Sequence, residues 1–305
     1  MSGPFRLPDT AEIIAAALAE DLGVEPGVLR TSAPGLLDRD VTGMLIDDAA
    51  HFFGVLRTRQ PGVVCGLPVA QRTWSMLAAA AGVDAPDCFP LVAEGASVPA
   101  GEVLMEIDGP TRAVLAGERT ALDFVAVLSG ISTETAAWVR GAGPTLQVLD
   151  TRKTLPGLRG LSKYAVVVGG GTNHRLGLFD MVLVKDNHIA AAGGISRAIE
   201  RARALHPGLV VEVEADSVRQ AAEAAHAGAD MVLLDNMDDA TLAAAVDAVR
   251  QATPPGRICL TEASGGITIE RLPAVAAAGV DRVSASAITL ASPLDVALDE
   301  RAEPR

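Results

Sequence analysis

Residues 209–236 read LVVEVEADSVRQAAEAAHAGADMVLLDN: an apolar run ending in acids, an alanine-rich helical pattern, a glycine, and a second apolar run ending in Asp235-Asn236. Short strand-like runs that are apolar throughout, separated by helical segments, are the pattern of parallel strands covered by helices. The rhythm continues outward in both directions. TLQVLD at 145–150, MVLVKD at 181–186, RICLTEAS at 257–264 and DRVSAS at 281–286 each open another unit, giving six strands. Each run is apolar in its body and polar at its end: Asp150-Thr151-Arg152-Lys153, Lys185-Asp186-Asn187-His188, Glu212 and Glu214, Asp235-Asn236, and Glu262 to Gly266. Polar groups gathered at the carboxyl ends of successive strands predict the upper face of an α/β barrel. An open doubly wound sheet would concentrate them at one switch point.

Upstream the pattern differs. Ile14, Leu18 and Leu22 at spacing four predict an amphipathic helix over 9–22, followed by an irregular segment to Asp47. Between 51 and 109 the runs HFFGVLRTR, CFPLVAE and EVLMEID are broken by Pro/Gly turns around a helix at 67–81, which predicts a small α+β region. Residues 113–142 are helical in pattern, with a break or bend expected at Ser129-Gly130, and Leu290–Leu298 is expected to pack back on the N-terminal region.

Composition narrows the class. The 305 residues carry 25 Lys+Arg against 38 Asp+Glu, a net charge of −13, which argues against a general binder of nucleic acid or anionic membrane. With 49% hydrophobic residues the chain can build a full core. Its longest uncharged runs are about twelve residues, short of the roughly 18 needed to span a bilayer. The first 22 residues lack a basic start and an apolar core, so a cytoplasmic location is expected. Cys65, Cys88 and Cys259 show no metal-ligand or disulfide spacing and read as buried free thiols.

Against that acidic background, Arg152, Lys153, His174, Arg175 and Lys185 fall at or between strand ends, where a barrel brings them to one mouth. Any one of them reads equally well as a solvated loop cation; the five together suit a small polyanion. Ser264-Gly265-Gly266 follows a strand and precedes an expected helix near Thr268, the outline of a phosphate site as well as of an ordinary loop. Gly169-Gly170-Gly171 is not a dinucleotide fingerprint and reads as a turn into Thr172-Asn173-His174-Arg175. Glu214 and Asp235 end neighbouring strands and suit either ribose hydroxyls or a divalent cation. Asp186 and His188 read as residues that orient Lys185.

The run DTRKTLPGLRGLSKYAVVVGGGTNHRLGLFDMVLVKDNHI at 150–189 closely resembles the quinolinate phosphoribosyltransferases, and GERTALDFVAVLSGIST at 117–133, VEVEADS at 211–217, GADMVLLDNM at 228–237 and EASGGI at 262–267 follow in that family's order. The resemblance implies a type II phosphoribosyltransferase fold. In it an N-terminal α/β sandwich-like domain over 1–128, with 287–305 packing back on it, precedes an incomplete, seven-stranded-like α/β barrel over 129–286. It implies a homodimer with shared active sites and Mg²⁺ brought with phosphoribosyl diphosphate. By the same resemblance Arg152, Lys153, His174, Arg175 and Lys185 would surround the quinolinate carboxylates and the phosphoribosyl diphosphate, with Arg119 reaching in from the partner subunit. Glu214 and Asp235 would take the ribose hydroxyls, and Ser264, Gly265 and Gly266 the 5′-phosphate. Ser286 stands where the family's run of the form Ser-x-Gly-Ala-Leu-Thr has its glycine. Lys153, Lys185, Glu214 and Asp235 are the expected catalytic groups, the lysines acting by charge and not as covalent nucleophiles. A paralogue that modifies another heteroaromatic acid, or a non-catalytic phosphate-sugar binding protein, is the alternative.

Overall fold

The computed structural model describes residues 6–301, which divide into two compact units. The first takes the chain up to Glu134, Leu155–Gly169 and the chain from Ala291 on; the second takes Thr135–Thr154 and Gly170–Leu290.

In the first unit, helix α1 (Ala11–Leu22) buries Ile14, Leu18 and Leu22 on one stripe and ends at Gly23, whose left-handed backbone (φ 63°) costs glycine little. After short 3-10 turns come strands β1 (His51–Thr58) and β2 (Gly62–Val63), helix α2 (Leu67–Ala81), and strands β3 (Asp87–Pro90), β4 (Ser97–Val98) and β5 (Val103–Pro110). Helix α3 (Thr111–Ala142) follows β5 directly. Phe52, Leu56, Trp74, Leu104, Met105, Ile107 and Leu122 form a buried core between sheet and helices. Burial stabilises each such side chain by roughly 1.5–3 kcal/mol. The Trp74 indole N–H is satisfied by the Val114 carbonyl at 3.0 Å.

The second unit begins within α3 and continues through β6 (Gln147–Leu149). The chain then leaves it for α4 (Arg159–Val168) and returns through β7 (Val182–Val184), α5 (Asp186–Ala192), α6 (Ile195–Leu205), β8 (Val211–Ala215), α7 (Val218–His226), β9 (Met231–Asp235), α8 (Asp239–Ala252), β10 (Leu260–Ser264), α9 (Leu272–Ala277) and β11 (Arg282–Ser284). All six strands pair in parallel, in the order β6-β11-β10-β9-β8-β7. That is the chain order wrapped round on itself, with no reversal, and it is the topology of a barrel left open between β6 and β7. A single parallel bridge, Leu149 to Thr172, stands on the free edge of β6 where a seventh strand would lie. Outward-facing Val213, Val232, Leu234 and Ala263 are buried beneath α7 and α8, whose alanines Ala221, Ala224 and Ala245 let the helices pack closely.

Three sequence expectations change. The boundary at 128/129 falls inside α3, and 155–169, expected in the barrel, belongs with the first unit. The Ser132 hydroxyl donates to the Ala165 carbonyl at 2.8 Å and the Tyr164 hydroxyl to Glu94 at 3.0 Å, tying α4 there. The C-terminal return begins at Ala291, since Ile288–Leu290 stay with the second unit. It ends in β12 (Val296–Glu300), which pairs antiparallel with β1; residues 302–305 lie outside the described residues.

The expected break at Ser129-Gly130 is absent, and α3 runs through as one helix. The Ser129 hydroxyl accepts the Cys65 N–H at 2.9 Å and donates to the Cys65 carbonyl at 3.0 Å. Gly130 lets the returning segment pass, because a Cβ there would run into the Ser292 carbonyl. Gly130→Ala should therefore destabilise the protein by about 1–3 kcal/mol although alanine is the better helix former. A urea melt checks the sign.

Candidate active site

A cavity of about 670 Å³ opens at the carboxyl ends of the barrel strands. Side chains on a strand alternate between faces, so residues two apart share the barrel interior. Leu183 and Lys185 on or just after β7, Leu233 and Asp235 on β9, and Glu214, Ser264 and Ser284 from their strand ends line it. Thr151, Arg152 and Lys153 after β6, His174 and Arg175 from the loop before β7, Asn236, Gly265 and Gly266 complete the wall.

The local backbone explains why the cations point there. The Thr151 hydroxyl oxygen accepts the Lys153 N–H at 3.0 Å and the Thr289 hydroxyl donates to the Lys153 carbonyl at 2.7 Å, pinning the Arg152-Lys153 turn. Buried Asp150 accepts the Asn173 side-chain amide at 2.7 Å and the His174 backbone N–H at 2.9 Å, fixing the loop that carries Arg175. Lys185 caps α5, its backbone N–H donating to His188 Nδ1 at 3.0 Å, so His188 holds the Lys185 backbone.

No acid pairs with the side chains of Arg152, Lys153 or Arg175 among the described residues, and the buried Nε of Arg152 has no hydrogen-bond partner. Burial and the neighbouring Arg152 both weigh against the charge on Arg175, while Glu212 and Asp180 favour it. Lys185 differs, being paired with Glu214. Asp235 accepts the side-chain amide of Asn236 at 2.7 Å. Asn236, at φ 55°, is the non-glycine residue with left-handed backbone among the described residues. A Cβ on Gly265 would strike its amide, so the glycine is needed where the two strand-end loops meet.

The structure brings Arg152, Lys153, His174, Arg175, Lys185, Glu214, Asp235, Ser264, Gly265 and Gly266 to one cavity. It does not bring Ser286 into the lining. Ser286 lies in the turn after β11, its carbonyl accepting the Leu290 N–H at 3.2 Å, and Ser284 takes the place on the wall. Arg119 lies in the first unit, its side chain exposed on α3 and paired with Asp123 at 3.2 Å. The turn after Gly266 leads into a 3-10 segment, Ile269–Arg271, and not directly into an α-helix. Two consecutive left-handed glycines, Gly265 (φ 81°) and Gly266 (φ 61°), therefore shape that backbone, and a helix dipole contributes little.

Sequence reading placed Glu212 and Glu262 only among polar strand ends. Both are fully buried beneath the cavity. His174 Nε2 lies 3.0 Å from Glu212 and 3.5 Å from Glu262. Its Nδ1 accepts the Arg175 backbone N–H at 2.7 Å. The available signal was parity: Glu212 shares the face of Glu214, and Glu262 that of Ser264.

Models of the quinolinate phosphoribosyl transferase C-terminal and N-terminal domains match residues 131–299 and 40–129. The chain belongs to the quinolinate phosphoribosyl transferase family. It is 44% identical to a probable nicotinate-nucleotide pyrophosphorylase (carboxylating) of Synechocystis over 79% of this chain and 80% of that protein. It is 39% identical to the human nicotinate-nucleotide pyrophosphorylase (carboxylating) over 88% of each. A solved nicotinate-nucleotide pyrophosphorylase from Francisella tularensis superposes with a TM-score of 0.84 at 34% identity, covering 99% of this chain and 100% of that one. No helix among the described residues is long and apolar enough to cross a membrane.

Burial, and then the charge of Glu212, push the Glu262 carboxyl up to about 7, with His174 opposing. Between the ordinary value of 4.5 and about 7 the folded protein keeps a proton that the unfolded chain has released, so this group's contribution to stability falls as pH rises. Glu262→Gln removes that slope. The variant's Tm relative to wild type should climb from about pH 5 to about pH 7.5; a constant difference would mean that the group titrates normally.

Proposed function

We propose that this chain transfers phosphoribose from phosphoribosyl diphosphate to quinolinate with loss of CO₂, giving nicotinate mononucleotide and diphosphate for NAD synthesis. The observation that carries the reading is the set of guanidinium and ammonium groups without acid partners, Arg152, Lys153 and Arg175, gathered in one cavity together with Glu214 and Asp235. Such a cavity asks for a ligand that carries several negative charges and also hydroxyls. A pyridine dicarboxylate and a phosphorylated ribose supply both.

The chemistry follows from that placement. The bond from the ribose anomeric carbon to diphosphate breaks with its electron pair leaving on oxygen, and the pyridine nitrogen forms the new bond to that carbon. Glu214 and Asp235, near the ribose, offset the positive charge that develops there. The nitrogen is then cationic, so the electron pair released when the adjacent carboxylate departs as CO₂ is stabilised on the ring carbon, which takes a proton. Arg152 and Arg175 hold the carboxylates, Lys153 and Lys185 balance phosphate charge, and Ser264, Gly265 and Gly266 receive the 5′-phosphate. The protein's share is positioning and electrostatics.

Mg²⁺ belongs to the substrate in this reading. On the wall, Glu214 is engaged by Lys185 and Asp235 by Asn236, which leaves oxygens for contact without a preformed cage. This donor set fits an ion that arrives on the diphosphate and keeps much of its water. We place the enzyme in the cytoplasm as a homodimer in which Arg119 of each subunit serves the partner's cavity. Its three free cysteines suit a reducing compartment.

Purified protein given quinolinate, phosphoribosyl diphosphate and Mg²⁺ should release nicotinate mononucleotide and CO₂ in equal amounts. Arg152→Ala should lower kcat/KM on the order of 10- to 100-fold, since it removes charge-assisted hydrogen bonds. Phosphoribosyl diphosphate binding without turnover would shift the reading to another acceptor acid or to a binding role. Shared sites make a separate prediction. Mixing the impaired Arg119→Ala and Arg152→Ala proteins under exchange should raise activity to about a quarter of wild type, above either variant alone, because half the dimers are mixed and each of those has one intact site. No recovery would place Arg119 in its own subunit's site, and an unimpaired Arg119→Ala would place it outside any.

A further inference from the structure

His174 lines the cavity, yet both of its ring nitrogens are engaged within the protein. Nδ1 accepts the Arg175 N–H at 2.7 Å, which means that Nδ1 carries no proton. The ring is then neutral with its proton on Nε2, facing Glu212 at 3.0 Å and Glu262 at 3.5 Å. Both carboxylates are 0% exposed, and the polar groups beside them are the His174 ring and, for Glu262, the Ser284 hydroxyl. Two ionised acids this close, out of water, around one N–H repel each other, and burial together with the charge of Glu212 favours keeping a proton on Glu262. The charged groups facing the pair are Arg175, acting through Glu212, and Arg282 of β11, acting on Glu262.

We propose that Glu212 and Glu262 are positioning residues for the acceptor site: they clamp the Nε2–H edge of His174, and His174 in turn holds the Arg175 backbone and so aims its guanidinium at the substrate carboxylate. The residual single negative charge of the pair also offsets the Arg152–Arg175 repulsion in the ligand-free cavity. His174 thus acts through Arg175. The substrate part of this inference rests on the function proposed above; the protonation state of the ring does not.

The deciding measurement is ¹⁵N NMR of the imidazoles in the ligand-free protein, with the His174 signals assigned by their loss in His174→Gln. The inference requires a neutral ring with the proton on Nε2 at pH 7. An imidazolium, a proton on Nδ1, or a metal-bound Nε2 whose signal changes on adding EDTA would each overturn it, whether or not the protein turns over quinolinate. Kinetics supply the second arm. Glu212→Leu should raise KM for quinolinate about tenfold while leaving KM for phosphoribosyl diphosphate within about twofold, and Glu212→Gln, which keeps an acceptor oxygen, should restore most of the loss. An equal change in both constants, or no change in either at unchanged Tm, would reduce the pair to packing.

Discussion

Two guanidinium groups held close together without an acid between them are the constraint around which the barrel mouth is organised. Arg152 and Arg175 come from different loops, one after β6 and one before β7, and the charge of Arg152 weighs against that of Arg175. Left to themselves they would turn toward solvent. What prevents it is backbone: Asp150 binds the loop of His174, the Thr151 and Thr289 hydroxyls bind the turn of Lys153, and His174 binds the N–H of Arg175. Like charges kept together by hydrogen bonds elsewhere are what a bound anion would relieve, as the proposed function requires.

The same constraint accounts for the open barrel. A closed ring would need a seventh strand between β6 and β7, where the Thr172 bridge and the loop of His174 and Arg175 lie. The chain instead leaves the second unit after Thr154 for α4 and returns at Gly170. The residues that would have formed a regular crossover become a loop rich in side-chain anchors. Incompleteness of the sheet and concentration of positive charge are therefore two aspects of one arrangement.

The sequence made the strands and their polar ends legible because period and burial act locally: each apolar run is short, bounded and followed by charge. The cation set was legible for the same reason, standing out against a net charge of −13. Non-local matters were not. Gly130 reads as a helix breaker unless one knows that Ser292 passes beside it, some 160 residues later in the chain. Ser286 and Ser284 are equally plausible wall residues until the turn after β11 is seen. Residues 155–169 carry an amphipathic pattern that fits a barrel crossover as well as it fits α4, and hydrogen bonds to Glu94 and Ser132 decide the matter.

Parity joins these layers. In a parallel barrel the residue two positions before a strand-end functional group faces the same interior, one layer deeper. Below Glu214 lies Glu212, and below Ser264 lies Glu262. A deeper layer made only of leucine and valine would isolate the upper charges and leave Arg152 and Arg175 uncompensated in a low dielectric. One made of two ionised acids would neutralise the cavity before any substrate arrived. Two carboxyls around one imidazole N–H fall between these limits, supplying one negative charge and a fixed ring. In the function proposed here the cavity would stay cationic enough to draw a dianion, with its arginines held in place to meet it.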